Sequence, residues 1–132
     1  MSDEHLRVAR NWIARAFRDL ENARILADAD PLSPNSMWLM QQSVEKGIKA
    51  LLITYGVEFR KIHDLEGLQQ SLPENSAFRK QEFDLQKLTD LGIESRYPEE
   101  ADELLMSEIR EAIETAGQIL ALLAEELGYE TS

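Results

Sequence analysis

Residues 41–56 read Gln41-Gln42-Ser43-Val44-Glu45-Lys46-Gly47-Ile48-Lys49-Ala50-Leu51-Leu52-Ile53-Thr54-Tyr55-Gly56. With the residues just upstream, Met37, Met40, Val44, Ile48, Leu51, Leu52 and Tyr55 recur at three- and four-residue spacing. That period lines one face of an α-helix and fits no strand. Ser33 suits the cap, Pro34 the first helical position and Gly56 the stop. Glu45 and Lys49 lie four apart, acid before base, at the edge of the apolar stripe. They read either as an exposed ion pair or as a partly buried carboxylate that needs a cation. Lys49 and Arg96 are the candidate cations.

The helical period extends in both directions. A first helix is expected from about Glu4 to Asp28. Ala9, Trp12, Ile13, Ala16, Leu20, Ala23 and Ala27 form its stripe, and Arg7, Arg10, Arg15, Arg18 and Glu21 lie mostly off it. Pro31 and Pro34 end it, because a residue before proline avoids the helical region. After Gly56, Asp64 can cap a short helix carrying Leu65, Leu68 and Leu72, stopped before Pro73. A further helix is expected from Asn75 or Ser76 to Gly92, showing Phe78, Leu85, Leu88 and Leu91. The last should run from about Glu99 to Leu127, with Leu104, Leu105, Ile109, Ala112, Ile113, Ala116, Leu120 and Leu123 inward and Gly128 as its stop. Acids at Glu99, Glu100, Asp102 and Glu103 suit the positive end of its dipole. Four long helices and a short one on brief connections predict an all-α antiparallel up-and-down four-helix bundle with an additional short helix. Alanine on the first and last helices lets backbones approach closely. Trp12 and Trp38 lie on stripes and read as core or interface residues.

The chain has 132 residues, enough for one domain spanning 1–132 with a sizeable core. It has no cysteine, which excludes disulfides and thiolate metal sites. No apolar run approaches the ~18 residues of a membrane span, and Met1–His5 is polar and acidic, so a cytoplasmic protein away from membranes is expected. The net charge of -11 is uneven: Arg110 alone faces ten acids after residue 96. A broad nucleic-acid footprint needs a basic face, which this balance argues against. A local basic pocket remains compatible with it, as does a basic partner against the acidic last helix.

Few residues can carry chemistry. Of the two histidines, His5 sits near the terminus and His63 where a loop meets a helix. His63 reads as a helix-start residue bonded to backbone or as a pocket residue that binds phosphate or moves a proton. Arg96 reads as a loop arginine paired with a carboxylate or as a bidentate phosphate clamp. Tyr97 reads as a core aromatic or a stacking platform for a base. No Glu-x-x-His pair supports a bundle metal site, no glycine-rich phosphate loop is present, and nothing supports a nucleophilic triad. No metal, cofactor or catalytic residue is assigned from the sequence.

Taken in order, Gln41-Gln42-x-x-Glu45-Lys46-x-x-Lys49-Ala50-Leu51-Leu52, Gly56, His63-Asp64-Leu65, Leu68 and Arg96-Tyr97-Pro98 resemble the HEPN domain (higher eukaryotes and prokaryotes nucleotide-binding). Trp12, Asp19-Leu20 and Ala23 also fit. The resemblance implies an up-and-down bundle, a symmetric homodimer and association with a nucleotide or RNA. It further implies pairing with a minimal nucleotidyltransferase, as in toxin–antitoxin pairs. Many such proteins are metal-independent endoribonucleases with an arginine followed, after four to six residues, by a histidine. Here those positions after Arg96 hold Ala101, Asp102 and Glu103, and no histidine follows His63; Arg60 and His63 are too close to serve. Three readings follow. The first is a non-catalytic nucleotide- or partner-binding module using Lys49, His63 and Arg96, with Glu45, Asp64 and Tyr97 as a structural polar motif. The second is a ribonuclease with a displaced site built from Arg96 and His63. The third is a purely structural dimer subunit.

Overall fold

The computed structural model describes residues 3–59, 64–93 and 103–130. Arg60, His63, Arg96, Tyr97, Glu99, Glu100 and Asp102, and the side chains of Glu103 and Leu104, lie outside the described residues. Five α-helices follow in order: α1 (Asp3–Ala29), α2 (Pro34–Thr54), α3 (Leu65–Gln70), α4 (Leu85–Ile93) and α5 (Glu103–Leu127). No strand occurs among the described residues. The turn Asp30–Ser33 reverses the chain, so α2 returns along α1 and Ser36 donates its hydroxyl to the Ala23 carbonyl at 3.0 Å. Gly92, at the end of α4, lies against Met37 and Gln41 near the start of α2, so α4 runs opposite to α2. The end of α5 meets the end of α2, where Glu126 binds Tyr55. Thus α1, α2, α4 and α5 alternate up and down, and α3 is the additional short helix.

The central element is α2. Thirteen of its 21 residues are buried, against six of 27 in α1. Its predicted stripe from Met37 to Leu52 is core, as are Ala9, Ile13, Ala16, Leu20 and Ala23 of α1 and Ile109, Ala116, Leu120 and Leu123 of α5. Full burial of such side chains contributes roughly 1.5–3 kcal/mol each for the larger ones, which is what holds this cysteine-free bundle. Trp38 departs from the core reading. It is 53 % exposed, and Trp12 is half-buried.

Caps show where local chemistry set the boundaries. Asp64 accepts the Glu66 amide at 3.2 Å and starts α3 as its sequence suggests. Ser33 has the extended backbone of a cap, but its side chain makes no capping bond. Asp30 instead orders the preceding turn by accepting the Leu32 amide. Gly56 takes φ +70°, the left-handed conformation that ends α2.

The helix expected from Asn75 or Ser76 to Gly92 is two pieces. Phe78–Lys80 is a single 3-10 turn, Gln81 is extended, and α4 begins only at Leu85. The reason is competition for backbone groups. Glu126 of α5 accepts the Phe78 amide at 2.6 Å and the Ser76 hydroxyl at 2.7 Å. Gln69 of α3 donates its amide to the carbonyls of Phe78 and Gln81. Those groups are spent on tertiary partners, and Asp84 then starts a fresh helix by accepting the Lys87 amide. Gly92 does not stop α4 either; Ile93 is still helical. A β-carbon there would strike the Gln41 side chain, so glycine is needed for α4 to approach α2.

Glu126 also accepts the Tyr55 hydroxyl at 2.6 Å. That bond to a carboxylate, then burial and the carboxylate's charge, raise the Tyr55 phenol above its ordinary value of 10.0. A raised pKa in the folded state stabilises below the unfolded value, and the stabilisation is lost as pH rises through the folded one. Tyr55→Phe should therefore be less stable than the wild type in urea at pH 8, and the gap should narrow at pH 11. A gap that stays constant or widens at alkaline pH contradicts this coupling.

Candidate functional site

The polar edge of the quoted helix is built by periodicity. Positions 38, 41, 42, 45 and 49 recur at three- and four-residue steps, so Trp38, Gln41, Gln42, Glu45 and Lys49 share one side of α2. This side faces the end of α4, through Gln41 and Gly92, and the Trp12 side of α1.

Glu45 and Lys49 are 4 % and 7 % exposed, so the pair is not a solvated surface bridge. The Lys49 ammonium donates to Glu45 Oε2 at 3.1 Å, and the Gln41 amide donates to Glu45 Oε1 at 3.3 Å. Gln42 in turn donates to the Gln41 carbonyl oxygen at 2.9 Å. Trp12 and Phe59 place their rings 6.0 Å and 5.5 Å from the ammonium. Removing a charged pair from water costs several kcal/mol per ion. Here the amide bond and the ring quadrupoles offset part of that cost.

Lys46, one turn back on the adjoining side, donates to Asp19 of α1 at 2.6 Å. The polar residues of the motif therefore divide. Gln41, Gln42, Glu45 and Lys49 form an intrahelical network, while Lys46 ties α2 to α1. Asp64 sits on α3 as a cap, away from this network. The described portion thus brings Glu45 and Lys49 together. His63, Arg96 and Tyr97 lie outside it, as does any meeting of His63 with Arg96.

Sequence reading missed two features. Trp12 and Phe59 around Lys49 come from separate segments, and only a half-buried tryptophan on α1 hinted at them. The Glu126 junction joins α5 to the ends of α2 and α3. Glu126 carries no local signal, because it looks like another acid on an acidic helix. Among the described residues no group of three or more His, Cys, Asp or Glu could hold a metal ion, and no helix is long and apolar enough to cross a membrane.

Lys49→Met leaves the Glu45 carboxylate buried without its cation and should cost about 3–5 kcal/mol of unfolding free energy. The double variant Glu45→Leu/Lys49→Met should recover most of that loss, because no buried charge is left alone. Equal destabilisation of the single and double variants in urea would rule out the buried pair as drawn.

Residues 9–127 match the HEPN domain. A crystal structure titled as that of ST0689, an archaeal HEPN homologue, superposes with a TM-score of 0.62 at 28% identity, covering 90% of this chain and 97% of that one. A protein of Methanocaldococcus jannaschii named "Putative toxin MJ1304" is 39% identical over 64 residues, which is 48% of this chain and 41% of that protein. This chain therefore matches less than half the length of that relative. The match across residues 9–127, carried on an up-and-down bundle with the expected α2 motif, places this chain in the HEPN domain family.

Proposed function

We propose that this HEPN domain is a non-catalytic module that binds a nucleotide or a protein partner, the partner being a minimal nucleotidyltransferase in a toxin–antitoxin-like pair. The observation that carries this reading is the pairing of a HEPN bundle with the residues after Arg96. Ala101, Asp102 and Glu103 stand where the ribonuclease pattern has its histidine. Cleavage of RNA needs a proton-transfer group beside the one that stabilises the phosphate. The relative's name supports the toxin–antitoxin setting.

The geometry assigns different work to the three candidate ligand residues. Lys49 is engaged by Glu45 and enclosed by two aromatic rings, so it acts as a positioning residue for the helix edge. Contact with ligand then falls to Arg96 and His63, the flexible-pKa and bidentate groups of the motif. A homodimer in the cytoplasm is the assembly proposed.

The test is co-expression with a minimal nucleotidyltransferase taken from the same genome, followed by size-exclusion chromatography, and calorimetry with ATP and GTP. A stable complex, or heat from either nucleotide that disappears in Arg96→Ala, is the expected result. Incubation with single-stranded RNA should give no cleavage above a buffer control. RNA cleavage lost in His63→Ala, with neither complex nor nucleotide binding, would establish the displaced ribonuclease instead.

A further inference from the structure

A groove of about 350 Å³ opens between the end of α1 and the first half of α5. Its floor is Ala27 and Pro31 from one side and Ile109 and Ile113 from the other. Arg24 and Arg110 stand on its two walls. Ile25, 57 % exposed, lies beside Arg24 on the outer face of α1 and continues the apolar surface past the rim.

Both guanidinium groups are available. Arg110 is exposed and has no carboxylate partner among the described residues. Arg24 has only Glu21, at 3.7 Å and with both side chains largely in water. Such a contact contributes little. Arg24 is nevertheless held in place. Its Nη2 lies where a β-carbon on Gly117 would sit 2.8 Å away, so the glycine in the middle of α5 leaves room for the guanidinium along that helix. A mid-helix glycine costs roughly 0.5–1 kcal/mol relative to alanine, so this seat is not free. Asp28 is the single acid lining the groove.

We propose that this groove docks an acidic amphipathic segment of a partner protein, its apolar side chains on the Ala27–Ile113 floor and its carboxylates on Arg24 and Arg110. Charge complementarity selects this occupant. The two cations are the exception on a chain of net charge -11, and Arg110 is the one basic residue of α5. A nucleic acid would bring a run of phosphates past Glu108, Glu111 and Glu114 of the same helix, with no basic stripe to receive them. The inference concerns a surface away from the α2 polar edge and stands whether or not the partner is a nucleotidyltransferase.

The test uses the full chain and two fluorescein-labelled helical peptides with the same leucine positions, one carrying glutamates and the other lysines between them. Net charge alone would favour the lysine peptide. Fluorescence anisotropy should instead show the glutamate peptide bound at least about tenfold more tightly, with the preference inverted in Arg24→Glu/Arg110→Glu. Gly117→Ala, which alters no charge, should weaken the glutamate peptide severalfold by displacing Arg24. Far-UV circular dichroism checks that each variant is folded, and Gly117→Ala decides the matter if the double variant is not. Tighter binding of the lysine peptide, or glutamate-peptide binding indifferent to Gly117→Ala and charge reversal, overturns the proposal. Displacement of the glutamate peptide by oligouridylate at equal concentration would also overturn it, by showing a phosphate site.

Discussion

A buried ion pair within one helix constrains the rest of this structure. Glu45 and Lys49 sit on the most enclosed helix of the bundle, and neither can be left alone there. Their pairing requires α2 to be helical through that turn. It also requires Trp12 of α1 and Phe59 beyond α2 to close over the ammonium. Gln41, which completes the carboxylate's shell, is also the residue that Gly92 packs against. The same network thus sets how closely α4 approaches. Hydrophobic burial supplies the stability, and the polar edge fixes which arrangement of helices is stable.

The second organising contact is Glu126. One carboxylate at the end of α5 gathers a phenol from α2, a hydroxyl from the loop after α3 and a backbone amide from the 3-10 turn. It converts what looks like a helix start into a short connection. The two polar centres lie at different levels of the bundle, with Glu45 about mid-helix on α2 and Glu126 beside its end. Together they hold α2 against α1, α4 and α5.

Much of this was legible in the sequence, and the exceptions have physical causes. Long amphipathic stripes announced α1, α2 and α5, because periodicity over many turns outweighs local accidents. Asp64 and Gly56 marked their boundaries because a cap and a left-handed glycine act locally. The start of α4 was not legible, since Phe78 and Ser76 answer to Glu126, 48 and 50 residues away. Trp38 looked like core because it lies beside the stripe, yet the polar side of α2 carries it outward. The Glu45–Lys49 spacing was visible, but its burial depends on rings from two other segments. The family resemblance, resting on ordered residues from Trp12 to Pro98, agrees with the match over residues 9–127.

The account turns on Lys49 being held by Glu45 and the aromatic rings instead of being offered to solvent. Nitrogen-15 NMR of lysine ammonium groups tests this directly. The account predicts that the Lys49 Nζ signal is observable near neutral pH through slow proton exchange, is insensitive to 0.5 M salt, and disappears into fast exchange in Glu45→Gln. A Lys49 ammonium that exchanges as fast as the exposed Lys80 and Lys87, or is unchanged by Glu45→Gln, would contradict it.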